Sequence, residues 1–290
     1  YPVNGQVWYN SGTLKGHKEN PSGAWSTGGV LNTPRYEFPG VGTQTAGLFI
    51  SGNKPGGYRS EVELYNGTAF SEVGDVNTAT RNFGAAGTST SAVIWGGQAD
   101  TDMTETWNGS SWTSAANISG NRYGAQGNIG ANNTSAISCG GNNGSNNTFE
   151  WNGSGWTALS NMNVAREHGS GQGIATAGLT FAGAPNVVNT ELWNGSSWTE
   201  LNDLNLGRRL AGGMGGSSTV SFCVSGDGTP TSDTEQWNGT SWTEIANLNT
   251  SMGGGTAAAG GSATAGVAAY LGATEEWNVP GETTVSFTVS

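Results

Sequence analysis

The chain is short of almost everything a reactive site is built from. Charged residues make up 11% of its 290 positions, and it has only two histidines and two cysteines. Acidic residues outnumber basic ones, 21 to 10, giving a net charge of −11 and an isoelectric point near 4.5. An acidic surface repels a phosphate backbone, which argues against nucleic acid as a partner. No apolar run approaches the roughly 20 residues that span a bilayer, so membrane insertion is not expected. Cys139 and Cys223 fall on the same strand of a repeat but in non-adjacent copies. A bridge needs Cα atoms within about 7 Å, so buried thiols are expected rather than a disulfide. His17 and His168 form no cluster, and there is no Cys-x-x-Cys, Gly-x-Ser-x-Gly or phosphate-binding loop. No catalytic residue, metal or cofactor is therefore assigned, and a non-enzymatic protein is expected. No signal segment is visible and the first residue is Tyr1, so a processed chain or a piece of a longer polypeptide is expected.

Glycine, with 50 residues, and tryptophan, with 12, are plentiful. Without a Gly-X-Y period this glycine content excludes collagen, and the aromatics argue against disorder. Asn, Ser and Thr stand where charge would otherwise cover the surface, as in a secreted or virion protein. The tryptophans come in a phrase. Trp-Asn-Gly-Ser-Ser-Trp spans Trp107 to Trp112 and Trp193 to Trp198, with close variants at Trp151 to Trp156 and Trp237 to Trp242. A weaker copy runs from Tyr65 to Phe70, and a truncated one begins at Trp277. Successive copies lie 40–44 residues apart. That period, with strand-like content, predicts a β-propeller of four-stranded blades.

Residues 81–117 serve as the pattern. Phe83 to Gly87 reads as the innermost strand, a, where tiny side chains suit the crowded axis. Its equivalents are placed at 124–127, 169–173, 211–215 and 253–257. Ser91 to Gly97 is the apolar strand b, Thr104 to Trp107 strand c, and Trp112-Thr113 opens strand d. Asn108-Gly109 is a hairpin signal, since both residues tolerate positive φ. The two tryptophans of each hairpin share one face and are expected to fill the wedge between blades rather than to bind ligand.

Strand b and the strand-c aromatic each occur six times. So does strand d, but out of phase: Trp25 precedes the first strand a, while Trp277 lacks a following Trp. The expected fold is therefore an all-β, six-bladed propeller of four-stranded blades whose N-terminal strand closes the last blade and removes its open edge. Residues 1–22 read as an N-terminal hairpin and linker, 23–280 as the propeller, and 281–290 as a terminal strand. The two ends are expected to pair outside the ring or with a partner chain.

Glu63, Glu105, Glu191, Glu235 and Glu275 recur at one position. Arg35, Arg166 and Arg208 recur before strand a, with Arg81 and Arg122 at similar places. A regular acid and base in each repeat predict ion pairs, whereas a catalytic site would break the symmetry. The symmetry does break between strands b and c, where length varies, so the binding face is expected there. The candidate residues are Lys54, Tyr58 and Arg59; Asp100 and Asp102; Asn143 and Asn146; Asn186; and Asp227 and Asp233. Asp and Asn loops can hold Ca²⁺, but none forms an Asp-x-Asp-x-Asp-Gly loop, so they read as turn chemistry. The Asn-Gly-Ser/Thr sequons of the five hairpins, at Asn66, Asn108, Asn152, Asn194 and Asn238, read the same way.

An apolar strand ending in Gly-Gly, followed by an aromatic and then a Trp, resembles the kelch repeat. Gly96-Gly97, Trp107 and Trp112 fill those positions, as do Gly140-Gly141, Trp151 and Trp156. The pair decays to Gly183-Ala184 and Ser225-Gly226, and the aromatic-to-Trp gap is shorter than in typical kelch repeats. The copper site of kelch-type oxidases is not matched by a chain with two histidines. The opening, Asn4 to Lys15, resembles hairpins of bacteriophage tail fibres, and the tandem blades resemble structural proteins of marine and cyanobacterial phages. The resemblance implies an extracellular virion protein, the receptor-binding propeller of a tail fibre, with a host cell-surface glycan or protein and other virion proteins as partners. The alternatives are a decoration or assembly domain of the virion and a secreted bacterial adhesin or lectin.

Overall fold

In the computed structural model, the described residues are 7–10, 13–17, 23–98, 102–120, 122–124, 127, 129–142, 144–227, 232–280 and 284–287, the terminal strands by their backbone alone. Six four-stranded antiparallel sheets are arranged around one axis. Blade 1 comprises Gly40–Thr43, Ala46–Lys54, Gly57–Tyr65 and Phe70–Val73. Blades 2 to 5 follow in chain order, and blade 6 takes Ala257–Ala259, Ala265–Tyr270 and Ala273–Asn278 from one end and Ala24–Thr27 from the other. Trp25 lies opposite Trp277 in register. Each inner strand touches the next, and that of blade 6 touches that of blade 1, so the ring is closed. A separate antiparallel sheet joins Val7–Asn10, Thr13–His17 and Thr284–Phe287, so the two ends pair with each other.

The core is divided into six wedges, each filled by facing residues of adjacent blades. In each blade the strand-c aromatic stacks on its strand-d partner, with centroids 5.3 Å apart for Trp107–Trp112 and 5.2 Å for Trp193–Trp198. The pairs are buried, apart from Trp156, which is partly buried. Three strand-d indoles also reach the preceding blade: the Nε1 groups of Trp156, Trp198 and Trp242 donate to the hydroxyls of Thr104, Thr148 and Thr190 at 2.8–2.9 Å. Where one partner type changes, the bond is lost. Trp112 faces blade 1, which has Val62 at the threonine position, and its Nε1 has no partner among the described residues. Thr274 faces Phe70, which has no N–H, and its hydroxyl is likewise without a partner. Trp25 Nε1 and Thr234 Oγ1, the equivalent pair between blades 5 and 6, also have none, and nothing in their surroundings explains it.

Several sequence expectations are corrected. The described strand a of blade 3 is Gly130–Asn132 and that of blade 6 is Ala257–Ala259, not 124–127 and 253–257. Gly124 and Gly255 are instead left-handed turn residues, at φ 67° and 89°. The Asn-Gly hairpin is a four-residue loop between paired tryptophans. Only its glycine has positive φ, 94° at Gly109; the asparagine acts through Oδ1, which accepts from the amides of Ser110 and Ser111 at 2.9 and 3.0 Å. The doublet ending strand b is two consecutive left-handed residues. In blade 4 it is Ala182-Gly183, at φ 60° and 125°, rather than Gly183-Ala184. Cys139 and Cys223 are buried, in no disulfide, and burial pushes each thiol up to about 12.

Candidate functional site

The ring has two unlike faces. On one lie the a–b turns and the c–d turns, where the Asn-Gly loop repeats with the same hydrogen bonds at Asn66, Asn152, Asn194 and Asn238. On the other lie the b–c connections and the d–a connectors, and here the blades differ.

Each connector begins with a constant anchor. In blade 4 the amide and side chain of Asn163 and the amide of Val164 donate to Glu191 at 2.7–3.0 Å. Arg166 pairs with the same carboxylate at 2.7 Å, both side chains fully buried. Asn32 and Arg35 hold Glu63 in the same way, and Asn205 and Arg208 hold Glu235. The expected ion pairs are thus present in blades 1, 4 and 5. In blades 2 and 6 the arginine position is filled by buried Thr80 and Met252, so Glu105 and Glu275 keep the asparagine bonds without an arginine. Blade 3 has the converse. Phe149 stands where the acid would be, and Arg122 stacks 4.3 Å from its ring centroid. Burial lowers the Arg122 pKa. Arg81 is one residue beyond the arginine position and is not part of this set.

The two residues after the anchor differ in every blade: Tyr36-Glu37, Arg81-Asn82, Tyr123-Gly124, Glu167-His168 and Arg209-Leu210, with Gly253 to Gly255 in blade 6. Their backbones close a belt. The amides of Asn82, Gly124, His168, Leu210, Gly255 and Glu37 each donate to the carbonyl of the preceding member at 2.7–3.1 Å, and the circle is complete. All six belt residues are left-handed, Glu37 at φ 58° and Leu210 at φ 54° among them. Backbone strain at non-glycine residues persists only where surrounding structure enforces it. With its backbone groups committed to the belt, the mouth presents unlike side chains around the channel.

Arg81 reaches Glu37 at 2.7 Å and also donates to Gln98. His168 packs edge-on against Tyr123, centroids 5.1 Å apart, and lies 3.9 Å from Glu167. Burial lowers its pKa, against the opposing pull of Glu167. Arg209 faces Asp227 at 3.4 Å, and Tyr36 packs against Tyr270 at 6.3 Å. The channel opens on this face as a cavity of about 80 Å³ and on the other as one of about 200 Å³. Both are below the roughly 300 Å³ typical of a small-molecule pocket.

The predicted residues fare unevenly. Lys54, Tyr58 and Arg59 are not in a loop: strands b and c of blade 1 run nine residues each and project as a hairpin closed by Pro55-Gly56. Tyr58 is exposed, and the Arg81 guanidinium lies 5.7 Å from its ring. Asp227 belongs to the rim. Asn146 and Asp233 are structural. Asn146 Nδ2 donates to the Met162 carbonyl at 3.1 Å, and buried Asp233 accepts from Asn247 at 3.0 Å. Asp102 receives the Ile118 amide on its carbonyl at 2.9 Å. Asn186 is exposed, in the turn after Pro185. Asp100 and Asn143 lie outside the described residues. Among the described residues no group of three or more His, Cys, Asp and Glu is placed to hold a metal. Sequence reasoning missed Glu37, His168 and Arg209, although a dipeptide that varies directly after a constant anchor was the available signal. A scan against protein-family models matches none of them to this chain, and a search of curated proteins returns no match.

Proposed function

We propose that this propeller is a non-enzymatic attachment domain on the outside of a virion, the receptor-binding part of a phage tail fibre, which engages a host cell-surface glycan or protein. The observation that carries this reading is the contrast between the faces. One repeats the same turn chemistry blade after blade. The other, built on equally constant anchors, presents Tyr58, Glu37, Arg81, His168, Arg209 and Asp227 at unlike positions. Recognition of an asymmetric ligand needs such divergence, and Tyr and Arg are the types enriched in binding hot spots. The likeness of the opening hairpin and the blades to tail-fibre and other phage structural proteins supplies the virion context. A structural role in the virion is favoured by a different observation: the outer strands of the end sheet each pair on one edge only among the described residues, which suits strand addition by another chain.

The test is adsorption of the purified protein to susceptible and resistant cells. Replacing Tyr58 and Arg59 together by Ala should weaken adsorption at least about tenfold, as loss of hot-spot residues does, with an unchanged melting curve. Unchanged adsorption would favour the structural role.

A further inference from the structure

We infer that the ligand of this face is a saccharide bearing a carboxylate or sulfate, and that Lys54 and Arg59 receive its charge. This rests on the reading that the face binds at all.

The distribution of positive charge carries the inference. The chain has ten Lys and Arg residues. Arg35, Arg122, Arg166 and Arg208 are buried under the connectors, and Lys15 and Lys18 belong to the N-terminal segment. The other four, Lys54, Arg59, Arg81 and Arg209, all lie on the divergent face. None is placed among the repeated turns of the opposite one. In a chain of net charge −11, the cations of the ring that do not serve the core are confined to a single surface.

Two of the four are already satisfied, Arg81 by Glu37 and Arg209 by Asp227. Lys54 and Arg59 have no carboxylate within 4.0 Å among the described residues. The nearest acids along the chain are Glu61 and Glu63; Glu63 is paired with Arg35, and Asp75 accepts the Ser60 hydroxyl at 3.2 Å. Arg59 Nε is buried without a partner among the described residues. Its guanidinium lies along the hairpin tip, 3.8 Å from where a Cβ on Gly56 would be. The same hairpin holds Tyr58 exposed beside Arg81. An ammonium and a guanidinium without acids, diagonal to each other on one side of the hairpin, can receive one anionic group, while the phenol ring of Tyr58 lies on the hairpin's other side.

The class of ligand follows from what surrounds them. A polyanion such as nucleic acid needs an extended positive track and would be repelled by the rest of the surface. A protein partner needs an apolar interface core. Among the described residues the exposed large hydrophobics are Val30, Tyr58, Ile174 and Leu271, with Ile174 on the opposite face. A saccharide needs little apolar area. It can place its anionic group on Lys54 and Arg59 and, reaching round the hairpin tip, set one ring face on Tyr58.

Calorimetric titration of the intact protein tests this. The probes are sialyllactose and a glucuronate-terminated trisaccharide, 6-sulfolactose, neutral lactose, and a short DNA duplex. The proteins are wild type, K54Q/R59Q and Y58A. An acidic saccharide should bind at least about tenfold more tightly than lactose, and K54Q/R59Q should remove that preference. The carboxylated and sulfated probes distinguish the two anion types. Equal binding of lactose, with Y58A weakened and K54Q/R59Q unaffected, overturns the anionic ligand but leaves the binding face standing. No saccharide binding, or tighter binding of the duplex, overturns the inference, and cell adsorption then decides the broader reading by itself.

Discussion

At the scale of single residues, the anchor beneath each connector shows how one substitution is answered by another. Glu191 is buried with Arg166 and three further donors around it. Removing the cation leaves a buried charge short of its partner, which costs about 3–5 kcal/mol. Arg122 has lost its acid to Phe149 and, among the described residues, is held by the ring and one bond to the Ser119 carbonyl at 3.0 Å. Replacing a poorly compensated buried cation by an apolar side chain of similar length is often neutral or stabilising. Arg166→Met should therefore lower the unfolding free energy in urea by about 3–5 kcal/mol, while Arg122→Met should change it by less than about 1 kcal/mol. Equal losses at both sites would mean that the aromatic ring replaces the carboxylate fully.

At the scale of the element, the c–d hairpin is the unit that repeats most faithfully, and it divides its work between core and turn. Trp151 fills the wedge between blades 2 and 3, and its Nε1 donates to the Asn133 carbonyl at 2.9 Å. Asn152 only organises the turn, accepting from Ser154 and Gly155 at 3.0 Å. Trp151→Ala should cost about 3–5 kcal/mol as a large-to-small core change, and Asn152→Ala about 1 kcal/mol as a lost local hydrogen bond. Thermal denaturation followed by tryptophan fluorescence reads both. A small effect at Trp151 would contradict its place in the core.

The hairpins, strand b and the closing strand at Trp25 were legible because aromatic spacing and strand alternation both mark them. The inner strands of blades 3 and 6 were not. Glycine serves both the crowded axis and the left-handed belt beside it, so composition alone does not separate Gly253 to Gly255 from the true strand Ala257–Ala259. The site was partly legible. Tyr58, Arg59 and Asp227 stood out as repeat-breaking residues. Asn146 and Asp233 broke the pattern too, yet their side chains are spent on local hydrogen bonds that a sequence does not display. The belt depends on backbone angles brought together from six connectors, and only the fold reveals it.

At the scale of the whole molecule, closure by the N-terminal strand, six wedge cores and a closed belt of backbone bonds make a rigid ring. On this frame one face is held constant and the other is left to vary, which is the central claim. Hydrogen exchange of the protein alone and saturated with isolated host cell-surface material measures it directly. Protection should appear at 53–59, 81–82, 167–168, 209–210 and 227, with none at the turns 108–111, 152–155, 194–197 and 238–241. Protection confined to those turns, or spread evenly over both faces, would contradict the account.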